Sequence, residues 1–267
     1  MAATPQALDL DRDDRLPVLK HPLVPTPSLK LASMLVTLTL DMQGLLVIDG
    51  PSGTGKTSAA VWLARQNPGW RWAYLQVPHT VRFDEVPAHV QEAITGYPAH
   101  GKVRDIQREN VRLMQQHHVA FIADEVQHAG TKGIQAVRYL ADLTAMGPTG
   151  GTPILLVGHG SLSAASTAPE MLDRLVGTAE FTLLGNGALL EFAHTLHPRL
   201  AVTPDDIIGR LNDECAGNGS LRSWHTIAAL LTRVSPHEPD SRPVALPEVK
   251  RIAMFRRHLA DARRNPA

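Results

Sequence analysis

Five short apolar runs punctuate the chain: LLVID at 45–49, AYLQV at 73–77, VAFIAD at 119–124, PILLVG at 153–158 and EFTLL at 180–184. Each is separated from the next by enough residues for a crossover helix, and the runs are continuous rather than alternating. That pattern predicts parallel strands buried on both faces, hence an α/β fold with a five-stranded parallel sheet between helices. Ahead of the first run, Thr26-Pro27-Ser28 reads as a helix start, a hydroxyl cap followed by proline in the first turn. Leu31, Leu35, Leu38 and Met42 follow at helical spacing and predict a helix packed on the core, while the alternation in LVTLTL at 35–40 is a competing strand signal.

Beyond 187 the strand signals stop. Helical patterns at 188–197, 204–216 and 219–233 predict a small helical lid, and SPHEPDSRPVALP at 235–247 reads as a proline-rich linker. A last helix, 248–263, is locally basic through Lys250, Arg251, Arg256, Arg257, Arg263 and Arg264. At the other end, 1–25 carries Asp9, Asp11, Asp13 and Asp14 among prolines and reads as a flexible or loosely docked arm. The expected division is therefore an arm at 1–25, a core at 26–186, a lid at 187–234, a linker at 235–247 and a basic C-terminal helix at 248–267.

Composition narrows the function. Lys plus Arg and Asp plus Glu both number 26, so no global cationic field draws the molecule onto nucleic acid, and any such contact must be a local patch. A single cysteine, Cys215, rules out an intrachain disulfide and a cysteine zinc site and fits a reducing compartment. The 13 histidines are scattered without companion ligands at metal-site spacing. The acidic start lacks a signal-peptide pattern, and Asp41 and Gly44 interrupt the apolar stretch 31–48, so no membrane span is expected and the cytoplasm is the default location.

The chemistry sits just after the first run. Gly50-Pro51-Ser52-Gly53-Thr54-Gly55-Lys56-Thr57 fits G-x-x-x-x-G-K-[ST] at every required position, with Ser58 next in the following helix. Glycines let successive backbone N–H groups turn inward on a phosphate, and the helix start adds its positive dipole end. Lys56 would reach the β- and γ-phosphates of ATP, and Thr57 would ligate Mg2+. In VAFIADEVQH, Asp124 ends a strand where a carboxylate can hold the magnesium shell, and Glu125 follows where it can orient and deprotonate the attacking water. The alternative is a pair of ordinary solvated acids.

The run at 73–77 lies between the phosphate-loop strand and the Asp124 strand, so these two need not be sheet neighbours. With Glu125, this resembles the additional-strand, catalytic-glutamate branch of P-loop proteins, and the absence of N-K-x-D and LSGGQ argues against GTPases and ABC proteins. Three later features resemble AAA+ ATPases. His159 in ILLVGHGSL stands where that family places its first sensor, Arg174 in MLDRLVGTAEF where it places an arginine finger, and Arg222 in GNGSLRSW where it places its second sensor. Each has a plainer reading: a surface-loop histidine, a helix-capping or ion-paired arginine, and a solvated lid residue.

Over about 26–233, the leading helix, GLLVIDGPSGTGKT, FIADEVQH, ILLVGHGSL and the GNGSLR lid together resemble the transposition ATPases of the TniB, TnsC and phage Mu B type. The resemblance implies an ATP-dependent homo-oligomer on double-stranded DNA, ring or filament, that marks target DNA and activates a transposase. It also implies that Arg174 enters a neighbouring subunit's site. Local support for DNA contact comes from Lys102, Arg104, Arg108 and Arg112, the arginines recurring every four residues on one helix face. Asp105 and Glu109 are interleaved with them and can pair with Arg108 and Arg112, which slightly favours a solvated charged face over a DNA track. Two other classes stay open: a signalling or scaffold NTPase that oligomerises with protein partners without DNA, and a P-loop enzyme that phosphorylates a small molecule.

Overall fold

The structure, a computed structural model, describes residues 16–19, 23, 25–77, 84–129, 151–216 and 219–264. They form two compact units. The first comprises the described residues up to Gly50 together with Lys56–Phe181; the second comprises Pro51–Gly55 and the described residues from Thr182 onward.

The first unit is a three-layer α/β structure. Its elements are α1 (Pro27–Met42), β1 (Leu45–Asp49), α2 (Lys56–Arg65), β2 (Arg71–Gln76), α3 (Val86–Thr95), α4 (Val103–Gln116), β3 (Val119–Asp124), a 3-10 turn (Val126–Ala129), β4 (Ile154–Gly158), α5 (Ser161–Ser166), α6 (Pro169–Leu172) and β5 (Leu175–Glu180). The strands run parallel in the order β2-β3-β4-β1-β5. The phosphate-loop strand and the Asp124 strand are thus not sheet neighbours, as expected, but it is β4 that separates them, while the run at 73–77 forms β2 at the sheet edge.

The register aligns the functional ends: Asp49 pairs with Gly158, and Asp124 with Val157. Side chains alternate between faces. Val47, Phe121, Ala123 and Leu156 meet Val90, Ile94, Leu113 and Met114 on one side. On the other, Leu46, Ile48, Ile122 and Leu155 meet Val36, Leu40, Ala60 and Leu63.

Several expectations are corrected here. The fifth strand is LVGTAE at 175–180, not the run at 180–184. As an edge strand it is only half-buried along most of its length, so no apolar run marks it, whereas Phe181 is buried beyond its end. In α1, Thr26 caps the start by accepting from the Leu29 N–H at 3.1 Å, and the helix runs through the LVTLTL segment, settling the competing strand signal.

Its buried face, however, is Leu29, Ala32, Val36, Thr39 and Leu40, while Leu31, Leu38 and Met42 are exposed. Large apolar residues stand on the exposed face as well as the buried one, so spacing alone picked the wrong stripe. Within the segment expected as an arm, Leu16 is buried in the same core as Val36 and Ala60, so the chain is docked by residue 16; residues 1–15 lie outside the described residues.

The second unit is helical: α7 (Asn186–Leu196), α8 (Pro198–Ala201), α9 (Asp205–Leu211), a π turn (Asn212–Ala216), α10 (Leu221–Val234) and α11 (Leu246–Arg264). Ser220 caps α10, and Trp224, Ile227 and Leu231 form its buried stripe. The segment expected as a linker and the helix after it are packed into this unit. Val244, Val249, Ile252 and Ala253 are buried, and the Val244 N–H donates to Thr203 Oγ1 at 2.9 Å. Arg199 donates to Glu248 at 2.8 Å with both side chains nearly inaccessible, 2% and 4% exposed. A proline-rich composition does not report such pairings. Of the basic residues of α11, Lys250, Arg251 and Arg257 are exposed, while Arg256 is half-buried and donates to Ser223 Oγ at 3.0 Å. The side chains of Arg263 and Arg264 lie outside the described residues.

Candidate nucleotide and metal site

In the first unit, the carboxyl ends of β1, β3 and β4 bring together most of the residues singled out from sequence. α2 begins at Lys56, whose ammonium is buried and donates to the Gly50 carbonyl at 2.7 Å. Thr57 Oγ1 donates to Asp124 Oδ2 at 2.8 Å, although 67 residues separate them. Asp124 is 4% exposed, and its Oδ1 accepts from the Glu125 N–H at 2.9 Å. Ser58 is half-buried in the first turn of α2.

Glu125 takes φ 59°, a left-handed conformation uncommon outside glycine that persists only where its surroundings fix it. Its peptide carbonyl accepts from the His128 N–H at 2.9 Å, starting the 3-10 turn. The turn parts the two acids. Asp124 engages Thr57, whereas the Glu125 carboxylate accepts from Gln127 Nε2 and lies 3.2 Å from His128 Nε2.

Next to them, the exposed His159 follows β4, and its Nδ1 lies 3.2 Å from the same Gly50 carbonyl that holds Lys56. Gly50 itself has φ 142°, and a Cβ there would stand 2.0 Å from the Phe181 carbonyl oxygen, so the loop must begin with glycine.

Three residues that the sequence reading passed over complete the arrangement. Asp49, the polar end of the LLVID run, accepts from the N–H groups of Gly50 at 2.6 Å, Gly160 at 2.7 Å and Leu162 at 3.0 Å. It thereby ties the loop's first peptide to the turn carrying His159. Burial alone would raise its pKa; the N–H donors of Leu162, Gly160, Gly50 and Ser161 outweigh it and hold the carboxyl below its usual range.

Tyr74, on β2 beside β3, donates its hydroxyl to Asp124 Oδ2 at 2.8 Å. Burial, then the charges of Asp124 and Glu125, push its phenol well above the ordinary value. Gln127 is the third. Each was visible only as a polar residue inside or just after a strand run.

Thr57 and Asp124 present hydroxyl and carboxylate oxygens 2.8 Å apart at the head of α2, a hard-oxygen donor set that suits Mg2+ held together with phosphate oxygens.

In the second unit, Arg222 opens α10 and is exposed. Its Nη1 donates to Ser52 Oγ at 3.2 Å, and its backbone N–H donates to the Gly53 carbonyl at 3.3 Å. The predicted second sensor therefore touches the tip of the phosphate loop. Within that tip, Thr54 Oγ1 closes a turn on the Pro51 carbonyl at 2.9 Å, and Gly55 completes the segment.

Arg174 is placed elsewhere. It immediately precedes β5, whose Leu175 pairs with Leu45, so it stands at the strand-start end of the sheet, away from Lys56 and Asp124. Its guanidinium donates to the Gln43 carbonyl at 2.9 Å. Lys102, at the start of α4, and Arg104, Arg108 and Arg112 on it are all exposed. Arg112 pairs with Glu109 at 2.5 Å, whereas Lys102, Arg104 and Arg108 make no ion pair among the described residues.

Residues 40–165 match the family model described as AAA domain. Among solved structures, the chain is similar to the Aeropyrum pernix ORC2 protein in its ADPNP–ADP complexes, with TM-score 0.63 and 16% identity over 84% of this chain and 67% of that one. It is similar to Drosophila ORC bound to DNA, with TM-score 0.60 and 16% identity over 100% and 74%. It is also similar to the Aeropyrum pernix ORC1 protein in complex with DNA, with TM-score 0.64 and 14% identity over 89% and 66%. No curated protein sequence matches the chain. At these identities the likeness shows the fold, which is the α/β P-loop arrangement of AAA+ NTPases. No helix among the described residues is long and apolar enough to cross a membrane.

Proposed function

We propose that this protein binds and hydrolyses ATP and acts as an ATP-dependent, DNA-binding homo-oligomer that regulates transposition in the manner of the TniB, TnsC and Mu B ATPases. The observation that carries the ATPase reading is the meeting of Lys56, Thr57, Asp124 and Glu125 at the ends of β1 and β3. Lys56 exchanges the Gly50 carbonyl for the β- and γ-phosphate oxygens and stabilises the charge that develops on them. Thr57 and Asp124 hold Mg2+, which when bound neutralises phosphate charge. Glu125 orients the water for in-line attack and takes its proton. His159 and Arg222 contact the nucleotide as first and second sensors. Arg174 takes no part in its own subunit's site; in an oligomer it serves a neighbour only after leaving Gln43.

The DNA reading is supported by Lys102, Arg104 and Arg108, exposed and unpaired among the described residues on one end of α4. Two structural neighbours were also solved with DNA. Repeated in each subunit of an oligomer, this patch sums phosphate contacts that a chain of zero net charge does not make alone. The transposase partner rests on the motif resemblance.

The decisive experiment is the assembly state by sedimentation and negative-stain microscopy with ATP or ADP, each with and without duplex DNA. Rings or filaments that need both ATP and DNA are expected. Assembly with ATP that ignores DNA favours the protein-partnered signalling or scaffold NTPase. Persistent monomers overturn the oligomer and, with it, the arginine-finger role.

A further inference from the structure

Gln127 spans the ends of two strands with the two halves of one amide. Its Nε2 donates to Glu125 Oε2, and its Oε1 accepts from the His159 N–H at 3.2 Å. The same Nε2 lies 3.5 Å from His128 Nε2, and His128 Nε2 also faces Glu125 Oε2 at 3.2 Å.

The space that this amide fills is shaped for it. Gly158, the last residue of β4, is buried, and a Cβ there would stand 2.0 Å from Gln127 Oε1 and 2.7 Å from Ser161 Oγ. The backbone supports the same arrangement from the other side, because the left-handed turn at Glu125 starts the 3-10 turn that carries Gln127. A flexible glutamate side chain on its own samples many rotamers. Here one of its oxygens is engaged by Gln127 and His128, and both contacts fall on Oε2.

We propose that Gln127 is a positioning residue. It fixes the Glu125 carboxylate through Oε2, leaves Oε1 for the attacking water, and ties that placement to the turn that carries His159. The proposal rests on the reading of Glu125 as the base. Its consequence is regulatory: the peptide of His159 and the carboxylate of Glu125 share one amide, so a shift of the His159 turn on meeting the γ-phosphate moves the base as well. Hydrolysis is then coupled to recognition of the γ-phosphate through a side chain that touches neither nucleotide nor metal.

The test uses the full chain. Gln127→Leu removes both hydrogen bonds, and Gln127→Glu keeps the size but replaces the donor with a second carboxylate. Both are expected to lower kcat about tenfold to a hundredfold, a part of the range that a whole general base supplies, with KM for ATP within about twofold of wild type. In a Glu125→Gln background, measured in single turnover, Gln127→Leu is expected to add less than about twofold, because the two residues act as a unit.

A readout independent of turnover is the side-chain amide resonance of Gln127 in nitrogen-15-labelled, nucleotide-free protein, which is expected to move to the position of a free amide in Glu125→Ala. Thermal unfolding of Gln127→Glu near the wild-type midpoint shows that the comparison is between folded proteins.

Turnover unchanged by both Gln127 substitutions while Glu125→Gln is inactive overturns the positioning role and leaves the base assignment standing. An amide resonance indifferent to Glu125→Ala overturns it too. Glu125→Gln that hydrolyses at the wild-type rate brings down the base assignment and this inference with it.

Discussion

The buried pair in the helical unit offers a quantitative test. Glu248 is 4% exposed and accepts from Arg199 at 2.8 Å, from Ser235 Oγ at 2.7 Å and from the Ala245 N–H at 3.0 Å. Burial alone would raise its pKa. The Arg199 hydrogen bond, the Ser235 and Ala245 donors and the Arg199 charge outweigh it and lower the value from 4.5 to about 2. That difference corresponds to about 3 kcal/mol favouring the charged form in the folded unit.

Breaking a buried pair by removing one partner costs about 3–5 kcal/mol, so Glu248→Gln is expected to destabilise the unit by about 3 kcal/mol. Cys215 reports the effect directly. It is the only cysteine, is buried, has its thiol pushed up to about 11 chiefly by burial, and contacts the Val249 carbonyl on α11. Its labelling at neutral pH requires opening, so the rate in Glu248→Gln should rise about 150-fold.

The sign of the pH dependence follows. A depressed folded pKa gives stability that is full above about 4.5 and is lost as pH falls toward about 2. Acid unfolding followed by the fluorotryptophan resonance of Trp224 should therefore be shallower over that window in Glu248→Gln. Arg199→Met with Glu248→Leu should recover much of the loss, because no buried charge is then left unpaired. A labelling rate within about fivefold of wild type, with an unchanged acid slope, would refute the reasoning.

Other outcomes follow from single contacts. Gly50→Ala, whose Cβ would meet the Phe181 carbonyl at 2.0 Å, should cost about 3 kcal/mol in urea unfolding. Gly160→Ala, with φ 75° but open space around it, should cost only about 1 kcal/mol. Tyr74→Phe should remove the last-ionising component of the alkaline tyrosinate titration. Because the folded phenol value is raised from 10.0, the stability that Tyr74 contributes is present below that pH and lost as pH climbs through its folded value. Arg104→Glu with Arg108→Glu should abolish salt-sensitive duplex binding while nucleotide affinity stays within about twofold; unchanged DNA affinity removes α4 from the interface.

The sequence carried the site further than the packing. Lys56, Thr57, Asp124 and Glu125 were legible because phosphate chemistry demands fixed residue types at fixed spacing, and buried parallel strands announce themselves as apolar runs. β5 was displaced by about five residues because an edge strand has no such run. The buried face of α1 was misread because its exposed face also carries Leu31, Met34, Leu38 and Met42. α11 looked independent behind its prolines because the Arg199–Glu248 pair spans 49 residues that no local pattern links. Asp49, Tyr74 and Gln127 escaped for a related reason: each acts across a strand gap, Tyr74 from β2 to β3, and Asp49 and Gln127 to the turn after β4, which meets them only because β4 is set between β1 and β3.

That strand order also explains why one peptide organises the site. Gly50 begins the loop that leaves β1, and β4 beside β1 delivers the His159 turn. The Gly50 carbonyl receives Lys56 at 2.7 Å and faces His159 Nδ1 at 3.2 Å, while its N–H and that of Gly160 share Asp49 Oδ1. A neutral carbonyl is a modest acceptor for a buried ammonium, and hydrogen bonds between two charged groups are about twice as strong. On the proposed reading, an arriving phosphate therefore outcompetes Gly50 for Lys56 and draws His159 by the same preference. Asp49 has no such competitor: its donors are backbone N–H groups of its own neighbours, so it keeps the loop and the His159 turn in register while the side chains change partners. The exchange is then local to two side chains, and Gln127 is the path by which it reaches Glu125.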